Sequence, residues 1–218
     1  MRFRNRTEAG RQLALLLEKY SHARYVLVLA LPRGGVPVAF EVAKALRAPL
    51  DIFLVRKLGV PGQEELALGA IASGGVRFLN DQVIEQLGIT RATVDRIVSR
   101  EQKELERRER AYRDWHSTLE LQDRQVILVD DGLATGATMR AAVAAVRQGQ
   151  PAKIVVAVPV AARSTAAEFM NLVDELVCAH SPSEFYAVGQ WYEDFNQTTD
   201  EEVRDLLRRA ASEPQANH

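Results

Sequence analysis

Short runs of apolar, mostly β-branched residues recur along the chain, and several are apolar at nearly every position, such as QVILVD at 125–130 and KIVVAVPV at 153–160. A strand has this composition when both faces of its sheet are covered. Segments with helical spacing separate the runs, which predicts a mostly parallel α/β sheet flanked by helices. The runs predicted as strands are 25–31, 50–55, 66–72, 76–80, 125–130, 153–160 and 174–179.

Three segments depart from this alternation. Residues from Thr90 to about Trp115 form one long helical pattern, and its charges are typical of a solvated helix face. Aromatic residues crowd a carboxyl-terminal loop before Thr199 or Asp200, either of which can cap a last helix. The sequence SGG at 73–75 joins two predicted strands as a hairpin turn, so we expect an antiparallel flap beside the main sheet.

The composition excludes several classes of function. Basic and acidic residues number 28 and 29, so the chain lacks the net positive charge typical of nucleic-acid binding, and no apolar run reaches membrane-spanning length. Cys178 is the sole cysteine and the four histidines show no metal-ligand spacing, which disfavours a disulfide framework or a zinc site. We therefore expect a cytoplasmic protein without nucleic-acid or membrane partners.

The most informative segment is VILVDDGLATGATM at 126–139. Its strand runs into Asp130 and Asp131, at the carboxyl end of a strand, where ligands bind in open α/β sheets. The Gly, Ala and Thr loop then leads into a helix near Gly136, whose first N–H groups and dipole favour a phosphate. A ribose 5-phosphate fits both halves, since its phosphate would lie on the loop and its hydroxyls would donate to the carboxylates. The segment lacks the P-loop lysine and the glycine spacing of dinucleotide folds.

The segment 126–138 resembles the signature of type I phosphoribosyltransferases for 5-phosphoribosyl 1-diphosphate (PRPP). Two further segments resemble the same family, in its usual order. PRGGVPVAFEVAKAL at 32–46 is similar to the diphosphate loop, which implies a cis peptide at Pro32–Arg33. VRKLGVPGQEE at 55–65 is similar to a strand end and a mobile loop that closes over the site. The sequence is also similar to a bacterial group of predicted phosphoribosyltransferases with the stretch ELALGAIASGG.

The resemblance implies one type I phosphoribosyltransferase-like domain over 1–218, with a helical insertion at 81–118 and a hood and helix at 180–211. It further implies transfer of phosphoribosyl from PRPP to an acceptor with release of diphosphate, Mg2+ bound through PRPP without firm protein ligands, and a homodimer. The residues implied to be catalytic are Asp130, Asp131, Arg33 and Lys57. Those implied to bind PRPP are Arg33, Gly34, Gly35, Arg56, Lys57, Asp130, Asp131, Gly132, Leu133, Ala134, Thr135, Gly136, Ala137 and Thr138.

The acceptor and the general base are less constrained. Ala134 stands where members acting on 6-oxopurines carry an aspartate base, which disfavours hypoxanthine and guanine, and Glu64 or Glu65 are the alternative bases. The hood aromatics either stack an acceptor, such as a nucleobase, or pack the core. These aromatics are Phe185, Tyr186, Trp191, Tyr192 and Phe195. A second hypothesis keeps the fold but makes the protein a regulator that senses PRPP or a nucleotide without catalysis.

Overall fold

The structure is a computed structural model that describes residues 2–60, 63–112 and 119–213. For residues 63–67 it describes only the backbone. Strands and helices alternate along most of this length. The strands are β1 Val26–Ala30, β2 Leu50–Ile52, β3 Val55–Val60, β4 Gln63–Ala72, β5 Val76–Leu79, β6 Gln125–Val129, β7 Lys153–Val160 and β8 Glu175–His180. The helices are α1 Arg6–Leu16, α2 Gly35–Leu46, α3 Asp81–Gln86, α4 Arg91–Tyr112, α5 Ala137–Gln148, α6 Arg163–Leu172 and α7 Asp200–Ser212.

The main sheet has five strands in the order β2-β1-β6-β7-β8, and every neighbouring pair is parallel. The predicted parallel α/β fold is therefore confirmed. The order places β1 next to β6, with Ala30 opposite Val129 in register. The loops that follow these two strands consequently leave the same edge of the sheet side by side.

Both faces of the main sheet are covered, as the continuously apolar strands predict. Alternate residues of β1 and β6 point to opposite cores, so that Val28 and Ile127 pack in one cluster while Leu29 and Leu128 pack in the other. The first cluster includes residues of α1, α2 and α7, and the second includes residues of α5 and α6. Each fully buried side chain of this size stabilises the fold by roughly 1.5–3 kcal/mol.

The antiparallel flap is a separate sheet in the order β3-β4-β5, and a turn at Ser73–Gly75 joins its last two strands as predicted. The resemblance implied a strand end and a mobile loop over 55–65, and the loop part of this prediction was wrong, because residues 55–60 and 63–65 belong to paired strands. Gly59, one of the residues that suggested a loop, lies instead at a register shift in the ladder between β3 and β4.

The long charged helix is α4, which begins one residue after the predicted start at Thr90, while residues 113–115 of the prediction lie outside the described residues. Its interrupted apolar stripe packs Val94, Ile97 and Leu105 into the protein, while most of its charged residues face solvent. Thr199 caps α7 by accepting a hydrogen bond from the Glu202 N–H, which confirms one of the two predicted caps. Within the described ranges, no helix combines the length and the apolar character needed to cross a membrane.

Candidate functional site

The loop after β1 turns sharply into α2. The N–H of Leu31 donates to the carbonyl of Val129 at 2.9 Å, which anchors the loop beside β6. The peptide between Pro32 and Arg33 is cis, as predicted. Gly34 precedes the first turn of α2, and no side chain caps this helix start. The positive end of the helix dipole is therefore available to an anion.

The loop after β6 is held from the neighbouring strand and helix. The N–H of Leu133 donates to the carbonyl of Val160 at 2.8 Å, and the Thr165 hydroxyl donates to the carbonyl of Ala134 at 2.6 Å. Gly136 then starts α5 with a φ of 72°, a left-handed conformation that glycine adopts without strain. A Cβ at this position would approach Phe169 to 2.6 Å, so both the conformation and the packing require glycine.

This second helix start also lacks a side-chain cap, apart from a long contact between the Ala137 N–H and the Thr135 hydroxyl at 3.5 Å. Gly132, Thr135, Ala137 and Thr138 lie along the loop and the first turn of α5, with Thr135 and Thr138 as hydroxyl donors. Two uncapped helix starts, of α2 and α5, thus lie at one edge of the main sheet. Such an edge suits a ligand with two anionic groups.

Gly34 and the acidic pair meet at this edge. A Cβ built on Gly34 would lie 2.1 Å from Oδ2 of Asp131, and one on Gly35 would lie 2.7 Å from the carbonyl oxygen of Val129. No other residue type can bring the first loop this close to the carboxylates. The diphosphate-loop and PRPP-signature segments predicted from the sequence therefore border one site.

The two carboxylates differ in their surroundings. The backbone N–H of Asp131 donates to Oδ1 of Asp130 at 2.8 Å. Burial, and then the charge of Asp131, raise the pKa of Asp130 well above its usual range. Burial also raises the pKa of Asp131, although hydrogen bonding to Arg6 opposes that effect. The site therefore holds an acidic pair whose ionisation is costly without a cation nearby.

Arg6 is a site residue that sequence reasoning missed. Its Nε donates to Oδ2 of Asp131 at 2.8 Å, and its side chain is 12 % exposed. Residues 2, 4 and 6 are all arginines in a basic stretch, so nothing in the pattern singles out Arg6. Its position at the start of α1, after the capping residue Asn5, was the sole local signal.

The hood encloses this pair. The backbone of Phe3 bonds to Trp191 and Glu193, which joins the amino-terminal segment to the carboxyl-terminal hood. Tyr192 is 4 % exposed and its hydroxyl donates to the carbonyl of Asp131 at 2.5 Å. A Cβ on Gly132 would approach Val188 of the hood to 2.5 Å. The hood thus packs directly onto the loop that carries the acidic pair.

The aromatic residues of the hood are mostly engaged with one another. Trp191 lies edge-on to His180 at a centroid distance of 4.9 Å and near Phe185 at 6.4 Å, whereas Tyr186 is 85 % exposed. These contacts support core packing for Tyr192 and Trp191. A mostly polar cavity of about 230 Å3 lies instead beside Arg6, between the hood and the starts of α1 and α7.

The predicted diphosphate cations are tied to other helices. Nη1 of Arg33 lies 3.4 Å from Oδ1 of Asp200 in α7, and the same oxygen accepts a hydrogen bond from the Tyr112 hydroxyl at 3.0 Å. Arg56 of β3 pairs with Glu101 of α4 through an Nε bond of 2.9 Å. The helical insertion therefore supplies the partner of Arg56 and, through Tyr112, contacts the partner of Arg33.

A cavity of about 260 Å3 lies between the flap and α4, and Arg56 and Lys57 both line it. Glu101 is 7 % exposed there and also accepts a bond from Arg100 at 2.9 Å. Burial by itself raises the pKa of Glu101. Hydrogen bonds from Arg56 and Arg100 have the larger effect, so this pKa is lowered overall. Lys57 and Arg56 therefore face α4 at the flap, and their action at the acidic pair stays a prediction. The side chains of Glu64 and Glu65, the predicted bases, lie outside the described residues.

Comparison with known proteins agrees with this geometry. The sequence model described as "Phosphoribosyl transferase domain" matches residues 61–190. The chain is 49 % identical over 208 residues to a "Putative phosphoribosyl transferase" of Mycobacterium tuberculosis, found in strains H37Rv and CDC 1551. This chain belongs to the phosphoribosyl transferase domain family. The alignment covers 95 % of the chain but 47 % of those relatives, so the chain spans about half of their length.

A solved structure agrees at the level of the whole fold. The crystal structure of TT1426 from Thermus thermophilus has a TM-score of 0.85 and 41 % sequence identity to this chain. The match covers 96 % of this chain and 99 % of that protein. The predicted family, and its fold of a parallel sheet with flanking helices, are both confirmed.

The donor set at the site fits Mg2+ only in part. Within the described residues, no group of three or more His, Cys, Asp or Glu side chains could hold a metal. Asp130 and Asp131 supply the hard carboxylate oxygens that Mg2+ prefers, but two such residues do not complete an octahedral shell. The pair therefore suits a metal that takes its remaining ligands from substrate oxygens and water.

Proposed function

We propose that the protein transfers a phosphoribosyl group from PRPP to a small-molecule acceptor, with Mg2+ as cofactor. The observation that carries the proposal is the contact of Gly34 with the carboxylate of Asp131, because it places two helix starts and an acidic pair at one site. PRPP is a ligand with a phosphate, a diphosphate and, between them, ribose hydroxyls. Family membership supports the same ligand.

Each part of PRPP has a proposed partner. The 5-phosphate would lie on the N–H groups of residues 136–138 at the start of α5, where Thr135 and Thr138 add hydroxyl donors. The ribose hydroxyls would donate to Asp130 and Asp131. The diphosphate would lie at the start of α2, with Arg33 as its nearest cation and Lys57 of the flap as a further one.

The reaction breaks the bond between C1 of the ribose and the diphosphate oxygen and forms a bond from C1 to the acceptor nucleophile, whose proton leaves to a base. Positive charge develops on the ribose as diphosphate departs, so neighbouring carboxylates favour the transition state. Mg2+ bound through PRPP would add positive charge at the leaving diphosphate. Binding at two fixed helix starts orients the ribose for attack.

The base, the homodimer and the acceptor site are further parts of the proposal. Glu64 and Glu65 remain the proposed bases, because Ala134 has no group that takes a proton and its carbonyl accepts from Thr165. A homodimer is likewise proposed from the family resemblance alone. The aromatic hood is proposed as the cover of the acceptor site, with Phe185 and Tyr186 as the residues that could still stack an acceptor.

The decisive experiment measures diphosphate release from PRPP with Mg2+ across nucleobases, pyridine carboxylates and amines. The blank is the double variant Asp130→Asn/Asp131→Asn, and the matched control is Asp95→Asn on the exposed face of α4. Release that one acceptor stimulates, absent in the blank and normal in the control, supports the transferase. PRPP binding without stimulated release supports the sensing hypothesis, and absence of PRPP binding contradicts the transferase and the sensing of PRPP.

A further inference from the structure

Arg6 is fixed on several sides at once. Its Nε donates to Oδ2 of Asp131, and its Nη1 donates to the carbonyl of Asn196 at 2.7 Å. The guanidinium carbon lies 3.9 Å from the ring centroid of Phe195. A planar guanidinium with both edges bonded and one face covered by an aromatic ring has little freedom to reorient.

The residue that Arg6 holds is fixed at two other points. The N–H of Asp131 donates to Asp130, and its carbonyl accepts from the Tyr192 hydroxyl. Asp131 is therefore bound through its backbone on both sides and through its carboxylate by Arg6. Asn196 and Phe195 belong to the hood, and both contact Arg6. The orientation of the Asp131 carboxylate therefore depends, through Arg6, on where the hood lies.

The charge of Arg6 matters as much as its position. Asp130 and Asp131 are adjacent carboxylates in a buried setting, where two negative charges repel and each loses hydration. Arg6 is bonded to one of them with its side chain 12 % exposed, so solvent screens this interaction little. Removing the guanidinium would leave the pair without that cation and would leave the Asp131 carboxylate free to reorient.

We propose that Arg6 is a positioning residue for phosphoribosyl transfer, which holds the Asp131 carboxylate in the orientation that accepts the ribose hydroxyls of PRPP. This inference rests on the proposed function, because it assigns the ribose hydroxyls to Asp131. It assigns Arg6 no contact with the reacting atoms. Its effect reaches PRPP through Asp131.

The test compares Arg6→Gln and Arg6→Lys with the wild type and with Arg11→Gln. Arg11 is a matched control, since it lies on the same helix and pairs with a carboxylate, Glu41, but is 69 % exposed. Calorimetry measures PRPP affinity with Mg2+, and thermal melts show how much of any loss of affinity reflects lower stability. The two readouts separate a structural role from a role in binding.

We expect Arg6→Gln to weaken PRPP binding at least about tenfold, because the Asp131 carboxylate loses the donor that orients it. Arg6→Lys should recover part of this affinity, since its ammonium can still donate to the carboxylate, and Arg11→Gln should match the wild type. Unchanged PRPP affinity in Arg6→Gln, or an equal loss of affinity in Arg6→Lys, overturns the inference. If the wild type itself binds no PRPP, the proposed function fails and the inference fails with it, whereas the other two outcomes leave the proposed function intact.

Discussion

Gly34 packs directly against the carboxylate of Asp131, since a Cβ on residue 34 would lie 2.1 Å from Oδ2 of residue 131. The carboxylate cannot simply move aside, because Arg6 binds it. Gly34→Ala should therefore displace Asp131, destabilise the protein by about 1–3 kcal/mol and weaken PRPP binding. Chemical denaturation measures the first effect and calorimetry the second.

A double-mutant cycle provides the control for this steric interpretation. Adding Asp131→Ala to Gly34→Ala removes the carboxylate that the new methyl group meets. If the steric explanation is correct, the double variant is more stable than Gly34→Ala. The coupling free energy between the two substitutions should then exceed the roughly 0.5 kcal/mol within which independent sites add. Simple additivity would contradict it.

Asp130→Asn should make the protein more stable at neutral pH. Burial and the neighbouring charge raise the pKa of Asp130, so the folded state binds the proton more tightly than the unfolded state. The wild type therefore loses stability as pH rises from the unfolded pKa of aspartate to the higher folded pKa. The variant lacks this loss and keeps the side-chain oxygen that accepts from Asp131.

Thermal melts measured as a function of pH test this expectation. The variant should melt above the wild type at pH 7, and the difference should disappear in acid, where the wild-type carboxyl is protonated in both states. Asp95→Asn, on the exposed face of α4, serves as the control and should track the wild type throughout. A less stable Asp130→Asn protein would show that the carboxylate is stabilising instead.

Glu101→Gln should loosen the flap from α4. Glu101 is buried and accepts bonds from Arg56 and Arg100, so its replacement leaves these two arginines poorly paired and should cost about 1–2 kcal/mol at pH 7. Because its pKa is lowered in the folded state, the stabilisation is present above the unfolded pKa of glutamate and is lost as pH falls through the folded value. Hydrogen exchange of β3 and β4 should increase in the variant.

Glu104 is a matched control for that experiment. It lies on the same helix and also pairs with two arginines, Arg107 and Arg108, but on the exposed surface. Glu104→Gln should leave flap exchange and stability nearly unchanged, because solvent screens such pairs. Equal effects from the two substitutions would argue against a specific role of Glu101 at the flap.

Glu175→Gln should lower stability by about 1 kcal/mol at neutral pH, allowing for solvent screening. Burial by itself raises the pKa of Glu175, but hydrogen bonds from Lys19, Tyr20 and Lys153 have the larger, opposite effect and lower this pKa to about 2. The stabilisation is therefore complete above the ordinary glutamate pKa of 4.5 and fades as pH falls towards about 2. Tyr20→Phe, which removes one donor, should cost less over the same range. A pH-independent difference for Glu175→Gln would exclude this explanation.

The sequence by itself determined the parts of this protein that depend on local pattern. Continuous apolar runs predicted the parallel sheet because burial on both faces requires them, and the run at 125–129 placed Asp130 and Asp131 at the mouth of the sheet. The start of α5 near Gly136 also follows from local chemistry, because glycine adopts the required backbone conformation. The cap of α7 follows likewise, because the Thr199 side chain accepts a bond from the N–H three residues ahead.

Tertiary structure alone decided which distant residues complete the site. Arg6 and Asp131 are 125 residues apart and Arg56 and Glu101 are 45 apart, and no periodicity connects such pairs. The strand β3 was missed for a related reason, because its glycine suggested a loop, whereas its pairing with β4 exists only between strands. Local sequence selects the elements, but the contacts between chain segments form only when the sheet and the hood pack, and these contacts determine which charges meet.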